Sequence, residues 1–155
     1  TTYIRIGKKN EPLKNKLKPK INKIYYLSLN KSKIALIFTG PLSEHVIEAQ
    51  TKLKGKGIKI DIINLHQIKP MTTSMLKTLS KYKFIYTLEE HFPNTGIMGI
   101  LSSYLSDKTI VIKSINDVNH FVSQLGNRDY VRKKFGISSK RIFKIINDDK
   151  NKNWD

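Results

Sequence analysis

Residues able to do chemistry gather in one stretch of this chain: Glu89-Glu90-His91, followed by Gly96 and Gly99. Two adjacent carboxylates and an imidazole could make a general acid/base pair or contribute to a metal site. His66 adds a second imidazole behind another apolar run. In an open parallel sheet, ligands and partners meet the protein beside the carboxyl ends of strands, so two such turns would share one edge. The alternative is structural. The carboxylates would accept hydrogen bonds from free N–H groups at neighbouring helix starts and hold the domain against another one. Gly96 and Gly99 would allow close backbone approach, or phosphate contact at a helix start. His45 lies three residues before Glu48 on an expected helix, which predicts a surface pairing, and His120 has no suggestive neighbours.

The familiar catalytic signatures are missing. The sequence has no Gly-x-Gly-x-x-Gly, no Gly-x-x-x-x-Gly-Lys-Ser/Thr, no Gly-x-Ser-x-Gly and no His-Glu-x-x-His. With no cysteine among 155 residues, disulfides and thiolate metal sites are excluded. No metal site is assigned.

The elements that must position the turn follow from apolar patterning. Ile34 to Thr39 and residues 84 to 88 are apolar runs of the kind buried on both faces, as is Thr109 to Ile115, and residues 58 to 63 form a further strand. Ile37, Ile62, Ile85 and Val111 are expected to be central. Residues 23 to 29 are rich in strand formers and Asn30-Lys31-Ser32 is a turn, predicting a hairpin with the next run and an antiparallel edge strand. Leu42, Val46, Ala49 and Leu53 repeat at helical spacing behind Gly40-Pro41, with Pro41 suited to the first helical position and Gly55 or Gly57 as the stop. Met71, Met75, Leu76 and Leu79 define a short helix. A further helix runs from about 96 to 106 with Ile97, Ile100, Leu101, Tyr104 and Leu105 aimed one way. Asn127 to Lys134, closed by Gly136, and Ser139 to Ile146 complete the set.

Strands alternating with helices mean an α/β protein: a three-layer sandwich with a mostly parallel sheet of about five strands and one antiparallel edge strand. Residues 7–23 hold Gly7, Pro12 and Pro19 among lysines and read as a basic linker, 24–147 as the domain, and 148–155 as a frayed tail. The first residues form a short β run with no leading turn, which predicts a fragment of something longer.

The formal net charge is +17, which raises a nucleic-acid or other polyanion-binding module as a second class of function. Its distribution argues against that class. Residues 1 to 23 carry Arg5 and seven lysines against Glu11 alone, and arginine stands only at Arg5, Arg128, Arg132 and Arg141. Bidentate phosphate readers favour arginine. No nucleic-acid or membrane partner is assigned, since no apolar run reaches the roughly 18 residues of a span. The expected location is the cytoplasm.

The order of the pieces resembles the C-terminal domain of transketolases and their thiamine-diphosphate-dependent relatives. Tyr3-Ile-Arg5-Ile-Gly-Lys8 is similar to the Tyr/Phe-Ile-Arg-x-x-Arg/Lys segment that ends the preceding pyrimidine-binding domain, so residues 1–6 would belong to that domain. Gly40 to Ala49 resembles the family's Gly-x-x-x-x-x-Ala-x-x-Ala helix start, and Ile58 to Pro70 its run ending Ile-Lys-Pro-Leu-Asp. Leu88-Glu-Glu-His91 with Gly96-Ile-Met-Gly99 is similar to Val-Glu-Glu/Asp-His-x-x-x-Gly-Gly-Ile/Leu-Gly, and Phe135-Gly136-Ile137 matches a Phe-Gly-Ile near the family's end. Thr95 stands where the first of two glycines is usual, Met71-Thr72 replaces Leu-Asp, and Lys8 replaces the commoner second arginine.

The resemblance implies an enzyme that moves a two-carbon ketol unit between sugar phosphates with thiamine diphosphate and Mg²⁺. Deoxyxylulose-phosphate synthase and the beta chains of 2-oxo-acid dehydrogenases are the alternatives within the superfamily. It also implies that the cofactor is held elsewhere, by a diphosphate domain and a pyrimidine domain on the same chain or a partner subunit, in an enzyme that is a homodimer. This piece would then be a scaffold, inactive alone and binding no cofactor. Glu89, Glu90, His91, Gly96 and Gly99 would lie at the interdomain or dimer contact, and Arg5 would hold the substrate phosphate.

Overall fold

A computed structural model describes residues 2–4, 19–106, 108–119, 121 and 126–153. Arg5, His120, Trp154 and residues 7 to 18 of the expected linker lie outside them. The strands are β1 (Tyr25–Ser28), β2 (Ile34–Phe38), β3 (Asp61–Asn64), β4 (Phe84–Leu88) and β5 (Val111–Ser114). The helices are α1 (Ser43–Gly55), α2 (Thr73–Leu79), α3 (Ile97–Tyr104), α4 (Arg128–Lys134) and α5 (Ser139–Asn153).

The five strands form one sheet in the order β1-β3-β2-β4-β5. β2 pairs in parallel with β3 and with β4, in registers that set Ile37 beside Ile63 and beside Thr87. β4 pairs in parallel with β5. Strand alternation then sorts the core into two sides. Leu36, Phe38, Ile62 and Leu88 pack with Val46, Ala49 and Leu53 of α1 and Ile142 and Ile146 of α5. Ala35, Ile37, Ile63 and Ile85 pack with Met75 and Leu79 of α2 and Ile97 and Leu101 of α3. The result is the expected three-layer α/β sandwich. Ile37, Ile62 and Ile85 are each fully buried, and burying such a side chain stabilises the fold by about 1.5–3 kcal/mol.

Four local expectations are corrected. β1 is antiparallel and at the edge, but it pairs with β3 rather than in a hairpin with β2. β2 already has a parallel neighbour on each side, and the connector after β1 is held across the end of β3 by Asp61. That carboxylate is 1% exposed; its Oδ1 accepts from Asn30 N at 2.6 Å and Ser32 N at 3.3 Å, and its Oδ2 from the Tyr82 hydroxyl at 2.8 Å. Val111 is not central: it begins the edge strand β5 and is 51% exposed. Tyr104 does not join the buried stripe of α3, because it closes the last turn at 49% exposure. Finally, the segment 148–153 is helical rather than a frayed tail, since α5 runs past Ile146 to Asn153. Its Asp149 accepts from Lys113 Nζ at 2.8 Å and from the Tyr86 hydroxyl at 3.1 Å, tying that last part of the helix to β5 and β4.

Helix boundaries otherwise follow local chemistry. Thr72 caps α2 by accepting from Met75 N, and Asn127 caps α4 by accepting from Tyr130 N. Gly57 and Gly136 take positive φ values of 70° and 76° just beyond α1 and α4, where a side chain would be strained. α1 starts two residues later than Pro41, with Leu42 at its N-cap position. Leu42 N donates to the carbonyl of Gly40, whose φ is 76°.

Candidate functional site

β2 and β4 run parallel, so the segments that leave their carboxyl ends, Thr39-Gly40-Pro41 and Glu89-Glu90-His91, emerge side by side. Thr39 N donates to Leu88 O at 3.4 Å across the two strands. With Ile68 and the start of α3 they enclose an open recess of about 270 Å³, lined by Thr39, Gly40, Ile68, Glu89, Glu90, His91, Thr95, Gly96 and Ile100.

Glu89 is 2% exposed and caps α3 from below. Its Oε2 accepts from Ile97 N at 2.8 Å and its Oε1 from Met98 N at 3.3 Å, placing the negative charge against the positive end of the helix. Burial pushes its carboxyl above the ordinary glutamate value, against the pull of the two amides. Gly96 makes this approach possible: a Cβ there would overlap the Glu89 carboxylate. Gly99 has the same role toward backbone, since its Cβ would overlap the Asn94 carbonyl, while Gly99 N donates to Pro93 O at 2.9 Å. Both glycines thus serve close approach within the chain.

Glu90 is the partly exposed member. Its carboxylate accepts from Arg132 Nε at 2.6 Å and from Arg128 Nε and Nη2 at 3.3 and 3.2 Å. Burial pushes this carboxyl up as well, but the two guanidiniums outweigh it and hold the group below its usual value. Arg132 also donates from Nη2 to the carbonyl of Pro41 at 3.0 Å. His91 is exposed, with its ring 6.1 Å from that of Phe92 and its carbonyl accepting from Asn116 Nδ2 at 3.0 Å. Phe92 in turn meets the ring of Phe121 edge-on at 5.5 Å.

The structure therefore joins Glu89, Glu90, His91 and Gly96 in one recess and sets Gly99 behind it. His66 is not part of it. Its Nε2 lies 3.1 Å from the carbonyl of Lys20 and its ring meets Tyr25 edge-on at 6.4 Å. Among the described residues no three His, Cys, Asp or Glu side chains are grouped to hold a metal ion. His45 is half-buried and close enough to act on Glu48 through its charge, while Glu48 accepts a hydrogen bond from Lys52 Nζ at 2.7 Å. Arg5, the expected phosphate ligand, lies outside the described residues.

Arg128, Arg132 and Asn116 are the site residues that sequence reasoning missed. One signal pointed to the arginines. In a chain that uses lysine for 25 of its 29 cationic side chains, arginine marks positions where a fork of donors is needed. Both guanidiniums bond Glu90, Arg132 from a buried position and Arg128 from an exposed one.

Comparison with known proteins points one way. The family model described as "Transketolase, C-terminal domain" matches residues 25–142. Among curated proteins, an apulose-4-phosphate transketolase subunit from Actinobacillus succinogenes is 28% identical over 115 residues, 71% of this chain and 36% of that one. The 1-deoxy-D-xylulose-5-phosphate synthase of Clostridium tetani is 30% identical over 139 residues, 88% of this chain and 22% of that enzyme. The chain thus spans between about a fifth and about a third of the length of such relatives. Among solved structures, a split-gene transketolase in an inactive β4 tetramer superposes with a TM-score of 0.72 at 16% identity, covering 85% of this chain and 43% of that one. The transketolase of Campylobacter jejuni gives 0.57 at 16% identity, covering 82% and 18%. At that identity the two superpositions speak for the fold.

Proposed function

We propose, from the premise that this chain belongs to the family of transketolase C-terminal domains, that it is the scaffold domain of an enzyme moving a two-carbon ketol unit between sugar phosphates. Thiamine diphosphate and Mg²⁺ serve that reaction from diphosphate and pyrimidine domains outside this chain, in a cytoplasmic homodimer. The turn from Glu89 to Gly99 meets the pyrimidine domain or the second subunit, and Arg5 holds the substrate phosphate.

The observation that carries this reading is the internal engagement of both carboxylates. Glu89 is bonded to the two amides that open α3 and Glu90 to two guanidiniums. A general acid or base needs a carboxyl within reach of substrate, and a metal needs oxygens open to it. The recess residues do not fit thiamine diphosphate: the nearest guanidiniums, Arg128 and Arg132, are already bonded to Glu90, and the buried carboxylate of Glu89 faces helix amides. What the turn does present outward is His91 and the Phe92–Phe121 ring pair, the mixed aromatic and polar surface expected of a contact.

The first experiment is calorimetric titration of this chain with thiamine diphosphate and Mg²⁺. No binding is expected, and an isotherm of ordinary affinity overturns the scaffold reading. The second adds the thiamine-binding domains and follows products from sugar phosphates. A second reading, the C-terminal domain of a deoxyxylulose-phosphate synthase, is favoured by the 30% identity that reaches over 88% of the chain. Formation of 1-deoxyxylulose 5-phosphate rather than a transferred ketol unit would select it.

A further inference from the structure

Arg132 sits on the seven-residue surface helix α4 and yet is only 8% exposed. A buried guanidinium is costly unless its donors find acceptors. This one finds them on both of the loops that line the recess. Nε donates to Glu90 Oε1 at 2.6 Å, on the loop after β4, and Nη2 donates to Pro41 O at 3.0 Å, on the loop after β2. Nη1 lies 3.9 Å from Asp129 Oδ1 on its own helix. The pairing of β2 with β4 reaches Thr39 N and Leu88 O; two residues further along each strand, Pro41 and Glu90 are linked through the guanidinium instead. Arg128 shares Glu90 by the bonds given above, from a more exposed position.

We infer that Arg132 is a positioning residue: by binding Glu90 and the Pro41 carbonyl together it fixes the separation of the two loops, and so the shape of the recess rim offered to the pyrimidine domain. The inference rests on the scaffold reading for its partner, but the placement of the loops is a property of this chain. A lysine keeps the charge and loses the fork, because one ammonium cannot reproduce two donors held in a plane at fixed separation. Arg132→Lys therefore separates positioning from charge.

Hydrogen exchange on this chain reads the first half. In Arg132→Lys the amides of Leu42, Gly96 and Ile97, which donate to Gly40 O, Phe92 O and Glu89, exchange about tenfold faster or more, while those of β2 and β3 keep their protection. Arg128→Lys gives a smaller change, and Lys113→Ala, which breaks the tie to Asp149, gives none in the recess. The assembled enzyme reads the second half. Arg132→Lys raises the half-saturating concentration of thiamine diphosphate about tenfold and leaves kcat at saturating cofactor within about twofold. Wild-type exchange at the recess, or an equal loss of protection over the whole sheet, overturns the inference. A fall in kcat at unchanged half-saturation does so as well. If the wild-type assembly transfers no ketol unit, the functional reading fails and the exchange comparison alone decides what Arg132 does.

Discussion

Alanine at Gly99 and alanine at Gly55 should move stability in opposite directions. Both glycines are helical, so each gains something from the better helix propensity of alanine, at most about 1 kcal/mol. Gly55, the last residue of α1, has open space where a Cβ would go and an ordinary φ, so nothing offsets the gain. At Gly99 the new methyl group overlaps the Asn94 carbonyl, which is backbone and cannot rotate aside. The turn carrying Asn94 is itself held by Thr95 N and Gly96 N donating to Phe92 O at 3.2 and 2.9 Å, so it resists moving away. Relieving the overlap by shifting α3 costs about 1–3 kcal/mol in repacking, and losing the bond from Gly99 N to Pro93 O costs about 1 kcal/mol more. The net expectation is a loss of about 1–3 kcal/mol for Gly99→Ala and a gain of up to about 1 kcal/mol for Gly55→Ala. For a chain of this length each kcal/mol moves the midpoint by about 2–4 °C. Urea unfolding followed by circular dichroism, with equal slopes in the variants, measures both. Shifts of the same sign, or a Gly99→Ala protein as stable as the parent, would refute the packing argument at the turn.

Other outcomes follow from the same contacts. Glu90 is held below the ordinary value of 4.5, so its contribution is complete above that value and is lost as pH falls through the lowered one; the stability deficit of Glu90→Gln should shrink on acidification. Glu89 is raised above 4.5 and works the other way, its penalty growing as pH rises through the raised value; unfolding curves of Glu89→Gln from about pH 3 to pH 8 should show a deficit that narrows toward neutrality. Asp61→Ala leaves the Asn30 and Ser32 amides without their side-chain acceptor and the Tyr82 hydroxyl with only the longer bond to Tyr26, and should cost about 2–4 kcal/mol, against less for Tyr82→Phe, which spares the amides. Asp149→Ala removes the acceptor shared by Lys113 and Tyr86 and should cost about 1–2 kcal/mol, read as a lower midpoint and a shorter α5 by amide exchange.

What could be read from residue order was whatever depends on near neighbours. The runs at Ile34 and Phe84 announce strands buried on both faces because almost every position is apolar, and both proved fully buried. The stop at Gly136 is equally local. The run at Thr109 looks the same as the central strands, and only the absence of a further strand beside β5 in the described sheet leaves Val111 exposed. The end of β1 before Asn30 was legible, but the strand that β1 joins is decided with the help of Asp61, about thirty residues away. Within the recess, the role of Glu89 as a helix cap was one of the readings open from spacing alone. The partners of Glu90 were not, since Arg128 and Arg132 stand 38 and 42 positions further on.

The link between Pro41 and Arg132 spans 91 positions, and this dictates an order of events during synthesis. The parallel core of β2, β3 and β4 is encoded by residue 88, so a nascent polypeptide can assemble its centre while α4 is still inside the ribosome. The two strand-end loops stay unclasped until residue 132 has emerged. Products truncated before residue 132 would lack both that clasp and the α5 residues Ile142 and Ile146 that cover one side of the sheet.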